Sequence, residues 1–191
     1  IGNALRRVLL SSLPGAAITQ IKIKNVDHEF TTLPGMVEDM IEFSINLKKV
    51  RFIMTTDEPQ TLSLKVKGDK EVTAEDIKGN TFVEVINTDL QIATLSKKTA
   101  ELDMEIVVER GLGYEQSKER KVGRLPIGTI VLDAIFSPVL KVDMNVEDMR
   151  VGEKTNYNRV KLLIETDGSI TPSESLYQAT SIVIEHFETI G

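Results

Sequence analysis

The chain has 191 residues, of which 41% are hydrophobic, and its 23 Lys and Arg against 29 Asp and Glu give a formal net charge of −6 at pH 7. That is enough for one large globular domain or two small ones, and no apolar run reaches the roughly 18 residues of a membrane span. The acidic balance argues against direct binding of duplex DNA, which requires clustered positive charge. The lack of cysteine excludes disulfides and thiolate zinc sites, and fits a reducing compartment.

The first segment predicts a helix with two different faces, ended by Pro14-Gly15. Mainly apolar residues share one stripe at about 100° per residue, and they are Ile1, Ala4, Leu5, Val8, Leu9 and Ser12. Asn3, Arg6, Arg7 and Leu10 fall roughly opposite. Two guanidiniums beside a leucine favour a surface for a second protein. The alternative is an ordinary amphipathic helix with snorkelling arginines.

A strand with one buried face is predicted at residues 17–24, and a second helix from Met36 to Lys49. The apolar arc of this helix consists of Met36, Val37, Met40, Ile41, Phe43, Ser44 and Leu47. Lys48 projects into that arc beside Val37 and Ile41 rather than onto the polar side. A lysine at a helix carboxyl end also complements the macrodipole, so a snorkelling cap is the alternative.

The middle of the chain predicts strands at residues 61–67, 82–86, 90–95 and 100–108. The polar, glycine-punctuated stretch from Arg110 to Arg124 predicts a loop. Residues 129–136 are almost continuously apolar, which fits either a covered strand or a short buried helix.

The end of the chain predicts two alternating strands and a long helix. Val142, Met144 and Val146 alternate with polar residues, as do Val160, Leu162 and Ile164. The capping box at residues 171–174 places the helix start at Pro172. Apolar positions then recur with the a/d rhythm of a helix that packs along another helix, at Leu176, Thr180, Val183, Phe187 and Ile190, and Tyr177, Ala179 and Ile184 widen the stripe. A two-helix seam across a dimer and a helix lying flat on one sheet both fit.

No pattern of catalytic or metal-binding residues stands out. His28 and His186 are the only histidines, and neither has a partner at zinc-site spacing. His28-Glu29 could orient a catalytic base, but no nucleophile elbow accompanies it. Gly111-x-Gly113 lacks the third glycine of a phosphate cradle. We therefore expect no catalytic residue, no metal site and no cofactor.

The opening run G-N-A-L-R-R-V-L-L-S-S-L-P-G resembles the signature of the amino-terminal domain of the bacterial RNA polymerase alpha subunit. Further stretches resemble the same family in the same order, namely His28-Glu29-Phe30, residues 37–40 leading to 46–48, residues 110–114, and Pro126-Ile127-Gly128 with Asp133-Ala134 and Ser137-Pro138-Val139. The family usually begins a few dozen residues earlier and continues through a flexible linker into a DNA-binding domain. We therefore expect this sequence to lack both parts.

The resemblance implies an α+β fold with a discontinuous dimerisation domain, in which helices lie on a small antiparallel sheet. That domain would comprise residues 1–14 and 138–191. Residues 15–137 would form an inserted, mostly β domain that contacts the large polymerase subunits. Pro14-Gly15 and Ser137-Pro138 are suitable crossing points between the two.

The resemblance also implies a non-catalytic assembly scaffold in the bacterial-type cytoplasm, or a plastid stroma. Two copies would dimerise and then recruit the beta and beta-prime subunits. The dimer contacts expected from helix period and family are Leu5, Val8, Leu9, Ser12, Leu176, Thr180, Val183, Phe187 and Ile190. The contacts implied for beta are Arg7, Leu10 and Glu42, and those for beta-prime are Lys48, Leu132, Val139 and Arg159. The competing hypotheses are a free-standing homodimeric binding module and a small acid/base enzyme built on His28 and Glu29.

Overall fold

A computed structural model describes residues 1–26, 30–118, 120, 126 and 128–190. Within these residues the helices are α1 (Gly2–Ser11), α2 (Met40–Leu47) and α3 (Pro172–Ile190). The strands are β1 (Pro14–Ile23), β2 (Phe52–Met54), β3 (Gln60–Lys67), β4 (Lys70–Thr73), β5 (Ile77–Lys78), β6 (Val83–Val85), β7 (Gln91–Leu95), β8 (Glu101–Leu112), β9 (Tyr114–Glu115), β10 (Thr129–Val131), β11 (Ala134–Ile135), β12 (Val139–Val151) and β13 (Lys154–Thr166). This mixture of helices and antiparallel sheets confirms the α+β prediction.

The chain divides into two compact units. The terminal unit comprises Ile1–Pro14 and Ser137–Gly191, and the central unit comprises Gly15–Phe136. Each unit has a buried apolar cluster of its own.

The terminal unit is a long β12–β13 hairpin with α1 and α3 packed at its base. The predicted alternation is confirmed, because Val142 pairs with Ile164 and Met144 with Leu162 in the antiparallel register. Successive cross-strand pairs of this kind place their side chains on one face of a sheet. The core on that face joins both helices to the hairpin, through Leu9, Leu13, Val139, Val142 and Ala179. Toward the hairpin turn this cover ends, and Val146 is exposed.

The first helix is rotated relative to the predicted stripe. Gly2 and Leu9 are its buried residues, whereas Ile1 and Ala4, expected on the core face, are exposed. A Cβ built at Gly2 would lie 2.5 Å from Sδ of Met144, so the backbone of α1 approaches the hairpin most closely at this residue. Hydrophobic periodicity could not detect this contact, because Gly2 has no side chain. The predicted core face was therefore wrong at Ile1 and Ala4.

The start of α3 agrees with its predicted cap. The Glu174 backbone N–H donates to Oγ1 of Thr171 at 3.2 Å, which satisfies one of the amide donors left free at a helix start. Ala179 is fully buried, and the helix contacts α1 along the unit. The broad apolar surface of α3 therefore has one covered side and one side that faces outward.

The central unit contains a seven-stranded antiparallel sheet in the order β5-β3-β8-β1-β2-β6, with β10 also paired to β1. Leu64 pairs with Met104 and Leu62 with Ile106, and all four side chains are buried. Phe43 and Leu47 of α2 belong to the same core. The predicted half-buried strand at residues 100–108 is confirmed as part of β8.

The second helix begins four residues later than predicted, at Met40 instead of Met36. Asp39 caps it, because its carboxylate accepts a hydrogen bond from the Glu42 backbone N–H at 2.7 Å. The preceding residues pair with β7, since the Val37 backbone N–H donates to the Thr94 carbonyl at 2.9 Å. Long-range strand pairing thus overrode the helical period.

The predicted loop from Arg110 to Arg124 is wrong for its first residues, because β8 continues to Leu112 and β9 follows. Gly113 adopts a φ of 62°, a backbone conformation that favours glycine, and its carbonyl accepts from the Phe136 N–H at 2.8 Å. A Cβ at Gly111 would lie 2.6 to 2.8 Å from ring carbons of Phe136, so this glycine allows the buried ring to touch the strand. Residues 119 and 121–125 lie outside the described residues. The apolar stretch 129–136 forms two short strands, β10 and β11.

Candidate protein-binding surfaces

The outward side of α3 exposes several large apolar side chains of the terminal unit. Phe187 is 70% exposed and Ile184 is 52% exposed, and Tyr177 and Thr180 are exposed on neighbouring turns. Leu176 and Val183 are half-buried between this surface and the unit's own core. The side chain of Ile190 lies outside the described residues. We call Tyr177, Thr180, Ile184 and Phe187 the α3 stripe.

The predicted contacts on α1 divide into two groups. Leu5, Val8 and Ser12 are half-buried, so part of each side chain remains accessible. Leu9 is 0% exposed and belongs to the core of its own unit. Its role in this structure is therefore to support α1 from within, and its side chain has no surface to offer a second copy.

Arg7 and Leu10 lie on the exposed back of α1. Within the described part of the chain no ion pair or side-chain hydrogen bond of Arg7 is found. Its backbone carbonyl accepts a hydrogen bond from the Ser11 hydroxyl at 2.7 Å. Its guanidinium thus retains all five donors for a partner. Leu10 has a similar position, and its carbonyl accepts from the Ser137 hydroxyl at 3.2 Å.

The exposed side of α2 carries Glu42 between two apolar residues. Ile41 is 55% exposed and Ile45 is 49% exposed, and they stand four residues apart on one helix face. The helical period predicts Ile41 on the core face of α2, but its side chain lies at the surface instead. Ile45 was missed altogether, although its spacing from Val37 and Ile41 was a signal for an apolar stripe.

Lys48 lies at the carboxyl end of α2, and its ammonium is paired. Nζ donates to Oδ2 of Asp133 at 3.0 Å, while Oδ1 of the same carboxylate accepts from the Ser117 backbone N–H at 2.9 Å. The Ser117 N–H, and after it the Lys48 ammonium, lower the pKa of Asp133 from 3.8 to about 2. Asp133 is therefore ionised at neutral pH, and Lys48 is neither a free snorkelling cation nor a simple helix cap.

A small cleft of about 160 Å³ opens beside this ion pair. Its lining includes Ile41, Ile45, Lys48, Val131 and Asp133, all within the central unit. The side chains of Lys48 and Asp133 are 27% and 32% exposed, so the pair is reachable from solvent. We call these residues the α2 notch.

The other residues predicted to contact a large subunit differ in their accessibility. Leu132 in the central unit and Val139 in the terminal unit are both buried within their own units. Arg159 on β13 is exposed, with a guanidinium nitrogen 3.9 Å from Sδ of Met149. Arg159 therefore has a side chain at the surface, whereas Leu132 and Val139 do not.

The remaining candidates from the sequence are the two histidines and Glu29. His28 and Glu29 lie outside the described residues. His186 is exposed on α3, where Nδ1 lies 2.7 Å from the carbonyl oxygen of Ile182 one turn earlier. Among the described residues no group of three His, Cys, Asp or Glu side chains could hold a metal ion. None of the described helices is long and apolar enough to cross a membrane.

Comparison with known proteins assigns a family to this arrangement. Residues 21–137 match the family model described as the RNA polymerase Rpb3/RpoA insert domain, which is more than half of the chain. The chain therefore belongs to the family of bacterial DNA-directed RNA polymerase alpha subunits, as the sequence resemblance predicted.

Curated relatives named DNA-directed RNA polymerase subunit alpha match nearly the whole chain. The DNA-directed RNA polymerase subunit alpha of Symbiobacterium thermophilum is 48% identical over 188 residues, which is 98% of this chain and 59% of that protein. Those of Oceanobacillus iheyensis and Carboxydothermus hydrogenoformans are each 46% identical, over 97% and 98% of this chain and 59% and 60% of theirs. The chain thus spans about three fifths of the length of these relatives.

Proposed function

We propose that this chain is the assembly scaffold of a DNA-dependent RNA polymerase. Two copies form a homodimer through the terminal unit, and the dimer recruits the beta and beta-prime subunits for transcription. The observation that carries the proposal is the exposed α3 stripe, on a chain whose three relatives named above are described as polymerase alpha subunits. A terminal helix with an outward phenylalanine, isoleucine and tyrosine is the kind of surface that partners cover.

The dimerisation domain in this proposal is residues 1–14 and 138–191, which is the terminal unit without Ser137. The α3 stripe supplies the central apolar contacts, joined by the half-buried Leu5, Val8 and Ser12 of α1 and by Leu176 and Val183. Because twofold symmetry uses each residue twice, every apolar side chain of the seam contributes on both protomers. Leu9 supports that seam from inside its own unit.

The beta subunit is bound by Arg7 and Leu10 on the back of α1, and by Glu42 on α2. An exposed arginine with all its donors available, beside a leucine, has the composition of an interface anchor. Residues 15–137, as the inserted domain, contribute contacts to both large subunits.

The beta-prime subunit is bound by Lys48 and by Arg159, whose side chains reach the surface. Leu132 and Val139, which are buried, act in this proposal by holding the backbone around the contact in place. In this proposal the alpha subunit itself is non-catalytic. It binds no nucleic acid through this region, since its net charge is −6 and its lysines pair with neighbouring carboxylates at several places. It works in the cytoplasm, where the polymerase reaches its DNA.

Co-expression with beta and beta-prime tests this proposal. Native mass spectrometry should detect a dimer of the chain alone, then a dimer with one beta, and finally a dimer with one beta and one beta-prime. A dimer that captures neither large subunit would instead support a free-standing homodimeric module. Catalytic turnover by the isolated chain, lost on His28→Ala, would support the acid/base enzyme.

A further inference from the structure

Asp133 joins three segments of the central unit at one carboxylate. The residue itself lies between β10 and β11, Lys48 ends α2, and Ser117 follows β9. One carboxylate oxygen accepts from the Ser117 backbone N–H and the other from Lys48 Nζ. Both oxygens are therefore engaged, and each engages a different part of the chain.

The two hydrogen bonds are not equivalent. The Ser117 donor belongs to the backbone and cannot rotate away, and it is the main reason why the pKa of Asp133 is depressed. The Lys48 donor stands on a flexible four-carbon stem that has several rotamers available. The backbone thus fixes the carboxylate, and the carboxylate in turn fixes the ammonium.

The stability of the chain gains little from this pair. Side chains that are 27% and 32% exposed form an ion pair that solvent screens, and such pairs contribute little to the free energy of unfolding. What the pair does produce is a defined position for Nζ beside Ile41 and Ile45. A cation held in place loses less rotamer entropy when a partner binds to it.

The charge of the α2 notch indicates what it binds. The Lys48 ammonium is already neutralised by Asp133, so an incoming carboxylate would be repelled by one group as it is attracted by the other. A neutral acceptor avoids this, because Nζ has three donors and Asp133 uses one of them. Aliphatic side chains of the partner can cover Ile41 and Ile45 at the same time.

We infer that Asp133 is a positioning residue for subunit recruitment, which holds the Lys48 ammonium over the α2 notch to bind a backbone carbonyl flanked by an aliphatic side chain of a large polymerase subunit. This inference rests on the proposed function, because it takes beta-prime as the partner at Lys48. Beyond that function, it names Asp133 as the residue that positions Lys48, and a backbone carbonyl as the group that Lys48 binds.

A double-mutant cycle in the assembled polymerase tests this role. Lys48→Met, Asp133→Asn and the double variant are compared for capture of beta-prime by the preformed complex of the alpha dimer with beta. Lys48→Met should weaken capture about tenfold, and Asp133→Asn severalfold. The double variant should be no weaker than Lys48→Met alone, because Asp133 acts through the lysine. The control is Lys49→Met, which removes an exposed lysine from the same helix end and should change nothing.

A structural role of Asp133 would give a different pattern. In that case Asp133→Asn would lower the melting temperature by more than the roughly 4 °C expected from loss of a solvent-screened ion pair, and its effect on capture would add to that of Lys48→Met, which overturns the inference. Asp133→Glu is a second variant, which keeps the test decisive if Asp133→Asn fails to fold. It keeps a carboxylate for Ser117 and Lys48 but shifts the ammonium by one methylene, so it should melt like the unmodified chain while capture falls severalfold.

Salt dependence tests the neutral acceptor. Raising the salt concentration from 0.1 to 0.5 M should weaken capture by the same factor for the unmodified chain and for Lys48→Met. A steeper loss for the unmodified chain would indicate a charged group at the notch and would contradict the inference. If every Lys48 and Asp133 variant captures beta-prime normally, the inference is refuted while the scaffold function stands. If the unmodified chain captures neither beta nor beta-prime, the inference and the scaffold function are both refuted.

Discussion

Phe187→Asp should dissociate the dimer without unfolding the chain. The ring of Phe187 is 70% exposed in the single chain, so the substitution removes little from the core of the terminal unit. A phenylalanine buries roughly 200 Å² when fully covered, and the exposed part would therefore add about 140 Å² to the dimer interface. At about 25 cal/mol per Å², this corresponds to about 3.5 kcal/mol for each protomer.

Because the seam uses the residue twice, loss of both rings should weaken dimerisation by about five orders of magnitude, and the desolvation of two carboxylates adds to the loss. Sedimentation velocity at micromolar concentration should then show monomers, while the far-UV circular dichroism stays unchanged. Thr189→Asp is the matched control. It adds the same charge in the same turn of α3, at a residue outside the stripe whose hydroxyl bonds only to the Glu185 carbonyl of its own helix.

An intact Phe187→Asp dimer would refute the role given to the α3 stripe. Dissociation of the Thr189→Asp control would refute it as well, since the loss would then reflect a negative charge near the helix carboxyl terminus.

Three further predictions concern stability. Thr171→Ala removes the α3 cap and should cost about 1 kcal/mol in urea unfolding, and an unchanged midpoint would show the cap to be idle. Gly111→Ala should cost about 1 to 3 kcal/mol because its Cβ meets the Phe136 ring, and Phe136→Leu in the same background should recover part of that loss. The pKa of Asp133 is about 2 in the folded chain, against 3.8 for an ordinary aspartate. Its ionised carboxylate therefore contributes about 1 kcal/mol to the free energy of unfolding after allowance for solvent screening. This contribution is present above pH 4 and is lost as the pH falls through 2. Asp133→Asn should flatten that part of the acid-unfolding curve.

The sequence predicted those elements whose signals are local. Thr171 and Glu174 mark the start of α3 within four residues, and the alternation of Val142 and Met144 follows directly from the pleat of a strand. The sequence could not predict that α2 starts at Met40. The residues before it pair with β7, more than fifty positions away, and such pairing leaves no periodic trace.

The candidate surfaces show a second limit of sequence reasoning. Leu9 and Phe187 both belong to apolar helical stripes, yet one is fully buried and the other is mostly exposed. Period identifies an apolar face but does not say whether the same chain or a partner covers it. The sequence also could not predict that Lys48 pairs with Asp133, because Asp133 lies 85 positions away and only the folded central unit brings the two together.

The most direct test of the scaffold function is the affinity of the dimer for beta, measured for the unmodified chain and for the Arg7→Ala variant. Arg7 is exposed and makes no ion pair within the described part of the chain, so its truncation should change the free energy of unfolding by less than about 0.5 kcal/mol. Loss of an interface arginine costs about 2 kcal/mol or more, which weakens binding roughly thirtyfold. Arg150→Ala, which removes another arginine of the terminal unit, is the control. We expect the Arg7→Ala dimer to fail to capture beta and the Arg150→Ala dimer to capture it normally. An Arg7→Ala dimer that captures beta with unchanged affinity would contradict the role proposed for Arg7.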